Sequence, residues 1–251
     1  MEEYKQRLAR LLAQTGALFF DDNLILKDTR PTPYFVNFGM FRTGKLVREL
    51  GSLFSDMIMG TGLISKTDII LGPSYKGSAI ALATAIGLYE KYGHDLLFEY
   101  DRKEAKKHGE GSSSNSLLVN RTLFDGCRIF IVDDVTTTMG TKYELIESLN
   151  NEAASQGIKI IISGIGIAVD REQSTAVYDS QGKYIPDVKG ENTIKTFTLK
   201  TGIPVFSIAG IKEMIKYLYE EKVPVMICGK RRHIDDNTKD LFDRYIKTYG
   251  N

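Results

Sequence analysis

The chain has 251 residues, of which 42% are hydrophobic and 26% are charged, enough for one well-buried core of the size common among α/β folds. Its formal net charge of +1 gives no bulk attraction to nucleic acid or to an anionic membrane, so neither is expected as a partner. The chain starts with the charged segment MEEYKQRLAR, and its apolar runs are well short of the ~20 residues that span a bilayer. Its two cysteines lie far apart in the sequence. We therefore expect a protein of the reducing cytoplasm.

Strands and helices are predicted to alternate along the chain. Apolar residues at helical spacing predict helices over residues 3–16, 44–59, 77–92, 141–155, 211–220 and 238–249. Short apolar runs predict strands over residues 68–71, 96–100, 128–132, 159–169 and 203–208. Two prolines exclude a helix from the polar turn 27–33, and residues 178–196 are expected to form a hairpin or a small flap. The alternation predicts an α/β fold with a mostly parallel sheet flanked by helices, in one domain over residues 1–251.

The most informative segment reads IFIVDDVTTTMGT and includes the end of the predicted strand 128–132. Its two acids, Asp133 and Asp134, come at the carboxyl end of a parallel strand, where open α/β sheets bind ligands. The acids suit sugar hydroxyls or Mg²⁺, while the threonines, the glycine and the helix N-terminus suit a phosphate. Acids and threonines also cap helices without binding anything. The whole pattern favours a phosphorylated, Mg²⁺-associated ribose as the ligand.

This segment resembles the phosphoribosyl diphosphate (PRPP) signature of the type I phosphoribosyltransferases. The resemblance implies that fold, with a small N-terminal hood over about residues 1–40. It also implies that Asp133 and Asp134 meet the ribose hydroxyls. The following loop would hold the 5′-phosphate through Val135, Thr136, Thr137, Thr138, Met139, Gly140 and Thr141. The usual signature has one residue fewer before Gly-Thr, so Met139 or one of the threonines is an insertion.

A basic segment that contains glycine, DRKEAKKHGEG, occupies residues 101–111. Charge runs are usually solvated turns, but the cations of a lid would also neutralise a departing diphosphate. The segment resembles the catalytic loop of the orotate phosphoribosyltransferases, which implies a mobile loop over about residues 101–115. In that family the loop closes over the active site of the dimer partner, so a homodimer is implied. The resemblance assigns PRPP or diphosphate contacts to Arg102, Lys103, Lys106 and His108, and catalytic roles to Lys106, Arg102, His108 and Asp134.

Two short motifs add residues to this site. GPSYKG at residues 72–77 resembles the family's Gly-Pro-x-Tyr-Lys-Gly turn, which implies that Tyr75 and Lys76 bind PRPP. Orotate carries a carboxylate, which a guanidinium recognises with two parallel hydrogen bonds. Arg171 stands where the family has its Asp-Arg pair, so the resemblance implies that Arg171, with Thr137, binds orotate. Without the resemblance, an arginine at a strand end is usually a surface charge.

The N-terminal segment LKDTRPTPYFVN, residues 26–37, resembles a further motif of the family. It implies that Lys27 reaches PRPP and that Phe35 and Val36 flank the orotate ring. Two positions depart from the usual pattern, because Thr29 stands where Gly is common and Val36 where Phe is frequent. Val36 offers less ring surface for stacking.

The resemblance implies the reaction of orotate with PRPP to give orotidine 5′-phosphate and diphosphate, a step of pyrimidine biosynthesis. Mg²⁺ is the expected cofactor, held by substrate oxygens and water rather than by protein ligands. Two alternatives stay open, namely a phosphoribosyltransferase for another base and a PRPP-sensing regulator on the same fold. The regulator predicts a degraded catalytic loop, and the other transferase predicts loss of Arg171; neither loss is present in the sequence.

Overall fold

The computed structural model describes residues 1–102, 117–136 and 138–251. Contacts divide the chain into two compact units. The unit that we call the hood unit consists of Met1–Arg42, Val169–Phe197 and Ala209–Asn251, and the sheet unit consists of Thr43–Ala168 and Thr198–Ile208. The prediction of one phosphoribosyltransferase domain over residues 1–251 stays a prediction.

The described helices and strands include all those that the sequence predicts. The helices are α1 (Glu3–Thr15), α2 (Gly44–Gly60), α3 (Lys76–Tyr92), α4 (Gly140–Ser155), α5 (Thr193–Thr201), α6 (Ile211–Glu220) and α7 (Asp236–Tyr249). The strands are β1 (Leu18–Ile25), β2 (Pro31–Val36), β3 (Ile69–Gly72), β4 (Leu97–Tyr100), β5 (Cys127–Val135), β6 (Ile160–Asp170), β7 (Val205–Gly210), β8 (Val225–Ile227) and β9 (Lys230–Arg232). The largest difference is in β5, which continues to Val135 instead of ending at residue 132.

The larger sheet has five strands in the order β4-β3-β5-β6-β7. Strand β3 pairs in parallel with both of its neighbours, β4 and β5. All four residues of β3 are buried, as a strand covered on both faces requires. The predicted α/β fold with a mostly parallel sheet and flanking helices is confirmed.

Helices α2 and α3 pack closely within the sheet unit. A Cβ atom at Gly51 would lie 2.2 Å from the carbonyl oxygen of Ala83, so the two backbones approach to a distance that only glycine permits. The Ser55 hydroxyl of α2 donates a hydrogen bond to the Thr84 carbonyl of α3 at 3.2 Å. This tight contact holds the middle of α3, the helix that begins at Lys76, against α2.

The hood unit contains a second sheet of four strands in the order β2-β1-β8-β9. Strand β1 runs antiparallel to β2 and parallel to β8. Helix α1 places Leu8 and Leu12 in the core, and Gly16, with φ of 70°, ends the helix in the left-handed conformation that favours glycine. The buried rings of Tyr34 and Phe242 lie 5.4 Å apart, centroid to centroid.

Five helices and strands were not predicted, namely β1, β2, α5, β8 and β9; strand β2 begins at Pro31, inside the polar turn expected over residues 27–33. Strand β1 is interrupted by the acidic Asp21-Asp22 pair at a register shift, and all three residues of β9 are exposed, so neither shows a clean alternation. Helix α5 begins at Thr193, inside the polar stretch that was expected to form a hairpin or a flap. Within that stretch Tyr178 and Tyr184 do pair across a turn.

Candidate active site

The two acids of the motif lie within strand β5 and each contacts a lysine. The Asp134 carboxylate accepts hydrogen bonds from the Val135 N–H at 2.7 Å and from the Lys76 ammonium at 3.0 Å. The Asp133 carboxylate accepts one from the Asp134 N–H at 2.9 Å and one from the Lys142 ammonium. The acid pair is therefore neutralised by two cations.

The two lysines differ in their environment. The Lys142 side chain is 2% exposed, whereas the Lys76 side chain is 56% exposed. Burial raises the pKa of Asp133 above its usual range; the Lys142 ammonium opposes this effect and the Asp134 charge adds to it. A buried carboxylate of this kind depends on its cationic partner to remain ionised.

Sequence reasoning missed Lys142. Lysine is almost never fully buried unless it is paired, and Lys142 lies in the first turn of α4, where the helix dipole disfavours a cation. The sequence did contain one signal that could have identified Lys142, namely a lysine at a helix start nine residues after Asp133. The motif alone did not contain it, because the motif ends at Thr141.

The predicted phosphate loop leads from β5 into α4. Met139 adopts φ of 59° immediately before α4, and its side chain makes no capping hydrogen bond, so N–H groups of the first turn of α4 suit an anion. The Thr136 hydroxyl lies 3.2 Å from the Met139 sulfur, and Met139 is buried. Thr137 lies outside the described residues. Of the others, Thr138 and Thr141 are exposed, whereas Val135, Thr136 and Gly140 are half-buried.

The turn at residues 72–77 depends on its two glycines. A Cβ atom at Gly72 would lie 1.8 Å from the Gly77 carbonyl oxygen. Any side chain at this position would therefore clash with the backbone. The turn ends at Lys76, the first residue of α3, and so delivers the ammonium that contacts Asp134. Tyr75 is exposed.

The base of the predicted catalytic loop is tied to this turn. The Asp101 carboxylate accepts a hydrogen bond from the Ser74 N–H at 2.5 Å, and the Arg102 N–H donates to the Leu117 carbonyl at 2.8 Å. Glu99, fully buried, accepts hydrogen bonds from residues 120 and 122. Three of the predicted loop residues, Lys103, Lys106 and His108, lie outside the described residues.

Arg171, in the hood unit, has an unusual environment. It is 6% exposed, and its guanidinium carbon lies 5.3 Å from the Tyr34 ring centroid and 5.9 Å from that of Phe35. Its Nε and Nη2 atoms are buried without a hydrogen-bond partner among the described residues. Buried guanidinium donors normally have partners, so these two point to an absent anion.

The remaining predicted residues of the hood unit lie on or beside β2. Phe35 is half-buried and Val36 is buried, both within the strand. Lys27 is exposed in the turn that connects β1 to β2. Thr29, in the same turn, has φ of 66°, which explains why glycine is common at this position in the resembled motif.

No helix within the described ranges is long and apolar enough to cross a membrane. No protein-family model matches the chain. The chain is 34% identical to an orotate phosphoribosyltransferase of Nitrosococcus oceani over 250 residues, 100% of this chain and 97% of that protein. It is 31% identical to that of Clostridium acetobutylicum, over 100% and 99% of the two chains. A solved orotate phosphoribosyltransferase from Francisella tularensis superposes with a TM-score of 0.73 at 23% identity, over 98% of this chain and 100% of that chain. The chain therefore belongs to the orotate phosphoribosyltransferase family.

Proposed function

We propose that this protein transfers the phosphoribosyl group of PRPP to orotate, giving orotidine 5′-phosphate and diphosphate. A bond forms between a ring nitrogen of orotate and C1 of the ribose, the bond from C1 to the diphosphate oxygen breaks, and the proton of that nitrogen passes to water or to the diphosphate. The transition state would be dissociative, so the protein orients the partners, stabilises the leaving group and excludes water. The reaction would take place in the cytoplasm, as a step of pyrimidine biosynthesis.

The observation that carries the proposal is a pair of unpaired donors, Nε and Nη2, on the Arg171 guanidinium. Two of its donors are buried without a partner in the described part of the chain, although a buried polar group without a partner is costly. A carboxylate on a planar ring would supply both acceptors, and the Phe35 ring beside the guanidinium would offer apolar surface to that ring. Orotate has both features, whereas uracil lacks the carboxylate.

The residues around β5 suit the phosphorylated ribose. The Asp134 carboxylate would accept hydrogen bonds from ribose hydroxyls. The N–H groups at the start of α4, which the Met139 side chain does not cap, would hold the 5′-phosphate. Lys76 is 56% exposed, so its ammonium is available to the anionic groups of PRPP. Lys27 and Tyr75, both exposed, are further proposed PRPP contacts.

The leaving diphosphate would be stabilised by the basic loop, with Lys106 as the principal cation and Arg102, Lys103 and His108 as further contacts. In the proposed homodimer this loop acts on the partner's active site. Mg²⁺ would supply additional charge neutralisation on the diphosphate. The described residues contain no group of three His, Cys, Asp or Glu side chains that could hold a metal ion, and both loop acids already contact lysines. This donor set fits a metal carried by substrate oxygens and water.

The proposal is tested by mixing purified protein with PRPP, Mg²⁺ and equal amounts of orotate, uracil, adenine and hypoxanthine. We expect only orotate to be consumed, and consumption to stop when Mg²⁺ is chelated. Faster use of a purine would identify a transferase for another base. Tight PRPP binding without turnover of any base would identify a PRPP-sensing regulator.

The proposed role of the loop is tested by Lys106→Ala, with Lys107→Ala as the matched control from the same loop. We expect kcat to fall about 10²- to 10³-fold in Lys106→Ala, the loss typical of one electrostatic contact made in the transition state. Lys107→Ala should lose much less. Equal losses in both variants would mean that only the total loop charge matters.

A further inference from the structure

Tyr34 contacts Arg171 through both its ring and its hydroxyl. The ring centroid lies 5.3 Å from the guanidinium carbon, and the hydroxyl lies 3.5 Å from the carbonyl oxygen of Arg171. Because Tyr34 is completely buried, its hydroxyl depends on protein partners rather than on water. The position of this one side chain therefore affects where the guanidinium can lie.

The Gln173 side chain joins Tyr34 to helix α7. Its amide nitrogen donates one hydrogen bond to the Tyr34 hydroxyl at 2.9 Å and another to the Tyr245 hydroxyl at 3.0 Å. A primary amide has two N–H groups, so both are used here. Because the amide is neutral, it holds Tyr34 without placing a second anion near the Arg171 guanidinium.

The backbone around Gln173 is held on both sides by the end of α7 and the residues after it. The Asn251 N–H donates to the Glu172 carbonyl at 2.9 Å, and the Ser174 N–H donates to the Tyr249 carbonyl at 2.8 Å. The Asn251 side-chain amide donates to the carbonyl of Gln173 itself at 3.1 Å. Gln173 thus starts from a fixed backbone, which lowers the entropic cost of holding its side chain on the two hydroxyls.

Glu172, which separates Arg171 from Gln173, has a costly backbone conformation. Its φ is 50°, in the left-handed region that residues other than glycine rarely adopt. The Glu172 N–H donates to the Asp170 carboxylate at 2.7 Å, which helps to hold this conformation. Strained residues persist where their surroundings hold them, and they cluster at ligand sites. The strain at Glu172 fits a segment whose geometry serves to place Arg171.

We propose that Gln173 is a positioning residue for base recognition: it fixes the Tyr34 side chain, which in turn holds the Arg171 guanidinium where its Nε and Nη2 donors meet the orotate carboxylate. This inference rests on the proposed function, because it assumes that Arg171 binds orotate. Gln173 acts through Tyr34 and Arg171 rather than by touching a substrate, so it affects the affinity for orotate and not the chemical step. It lies outside all of the sequence motifs described above.

The test measures kcat, KM for orotate and KM for PRPP in Gln173→Leu, Tyr34→Phe and the double variant. Gln173→Leu leaves both tyrosine hydroxyls without their donor, and KM for orotate should rise about 3- to 10-fold, the range of one buried hydrogen bond. The values of kcat and of KM for PRPP should change by less than about twofold, since only orotate binding is affected. Because both single variants break the same link, the double variant should raise KM for orotate no more than the larger single change.

Tyr245→Phe is the matched control, since it removes the other hydrogen bond of the same amide. Its KM for orotate should stay within about twofold of the unchanged protein, whereas its thermal stability should fall as in Gln173→Leu. If Gln173→Leu does not fold, Tyr34→Phe removes a single hydroxyl and must still raise KM for orotate.

Three results would overturn the inference. They are an unchanged KM for orotate in folded Gln173→Leu, equal increases in KM for orotate and for PRPP, and independent effects that multiply in the double variant. A failure of the proposed function looks different, because the unchanged protein itself would then show no turnover with orotate, and the inference would fail with it.

Discussion

The guanidinium carbon of Arg171 lies 5.3 Å from the centroid of the Tyr34 ring, and Tyr34 is completely buried. Burial raises the pKa of the Tyr34 hydroxyl, so it stays neutral, and the nearby Arg171 charge opposes this shift only in part. An aromatic face attracts a guanidinium without using its N–H donors. The ring contact thus helps to hold Arg171, while its Nε and Nη2 donors have no partner among the described residues.

Arg171→Met should reduce the preference for orotate over uracil. Methionine keeps apolar contact with the rings but removes the donors, so kcat/KM for orotate should fall about 10- to 100-fold, the range expected for charge-assisted hydrogen bonds. The much lower kcat/KM for uracil, which has no carboxylate, should change little. Steady-state kinetics with both bases measure the ratio.

The matched control for Arg171 is Arg30→Met. Arg30 is also buried, and its Nε likewise has no partner among the described residues, but its Nη1 and Nη2 atoms donate hydrogen bonds to the Ser174 carbonyl at 2.9 Å and to Asp28 at 3.0 Å. Its loss should lower the thermal stability without changing the ratio of kcat/KM for the two bases. A ratio that changes equally in both variants would show that general damage to the hood unit, rather than a lost carboxylate contact, is responsible.

Thr29→Gly should stabilise the protein. Thr29 has φ of 66°, and a β-branched residue in the left-handed region is strained by about 1–2 kcal/mol. The greater freedom of glycine in the unfolded chain offsets part of this gain, so the free energy of unfolding should rise by about 0.5–1 kcal/mol. Urea denaturation measures it. Thr248→Gly, inside helix α7, should instead lower stability by up to about 1 kcal/mol, and a loss at both sites would contradict the strain argument.

Gly72→Ala should disrupt the turn that carries Lys76. The new methyl group would lie 1.8 Å from the Gly77 carbonyl oxygen, so the turn must open and the ammonium must move from Asp134. PRPP affinity should fall by about tenfold or more, and thermal stability should fall as in other overpacked sites. Gly60→Ala is the control, because nothing lies within 4 Å of a Cβ there. Unchanged PRPP affinity in Gly72→Ala would show that the turn does not position a ligand group.

The ion pair between Asp68 and Arg128 should make stability depend on acid pH. Hydrogen bonds from Arg128 lower the pKa of the Asp68 carboxyl below its usual value. The pair therefore contributes stability above the unfolded-state pKa, and this contribution is lost as the pH falls through the folded-state pKa. Because Arg128 is 38% exposed, Asp68→Asn should cost no more than about 1 kcal/mol at neutral pH. Denaturation followed from neutral pH into acid tests this, and the difference between Asp68→Asn and the unchanged protein should shrink as the pH falls; a difference that does not shrink would be a packing effect.

The sequence predicted the elements that have a regular apolar pattern, and it missed those that depend on partners distant in the chain. Helix α6 was predicted at its observed bounds, residues 211–220, because its apolar residues form one face. Strand β9 was not, since its residues KRR are all exposed and only pairing with β8 makes them a strand. Local pattern does not record such pairing.

The same distinction applies to the candidate site. Asp133 and Asp134 were identified because they lie together in a short motif, whereas the burial of Lys142 arises only when α4 packs in the folded chain. The role of Arg171 came from resemblance, because a strand-end arginine has no distinguishing local pattern. Its unpaired donors became visible only in three dimensions.

The packing of Tyr34, whose ring lies beside Arg171, has a consequence for the order in which parts of this chain can fold during translation. Tyr34 packs against Phe242 and Tyr245 of α7, at 5.4 Å and 6.1 Å between ring centroids, so an element near the start of the chain is completed by the last helix. A ribosome must synthesise more than two hundred further residues before Tyr34 gains these neighbours. The residues proposed to hold the phosphorylated sugar all emerge earlier than α7. A nascent chain would thus complete the surroundings of Arg171, the arginine proposed to bind orotate, only after α7 has been made.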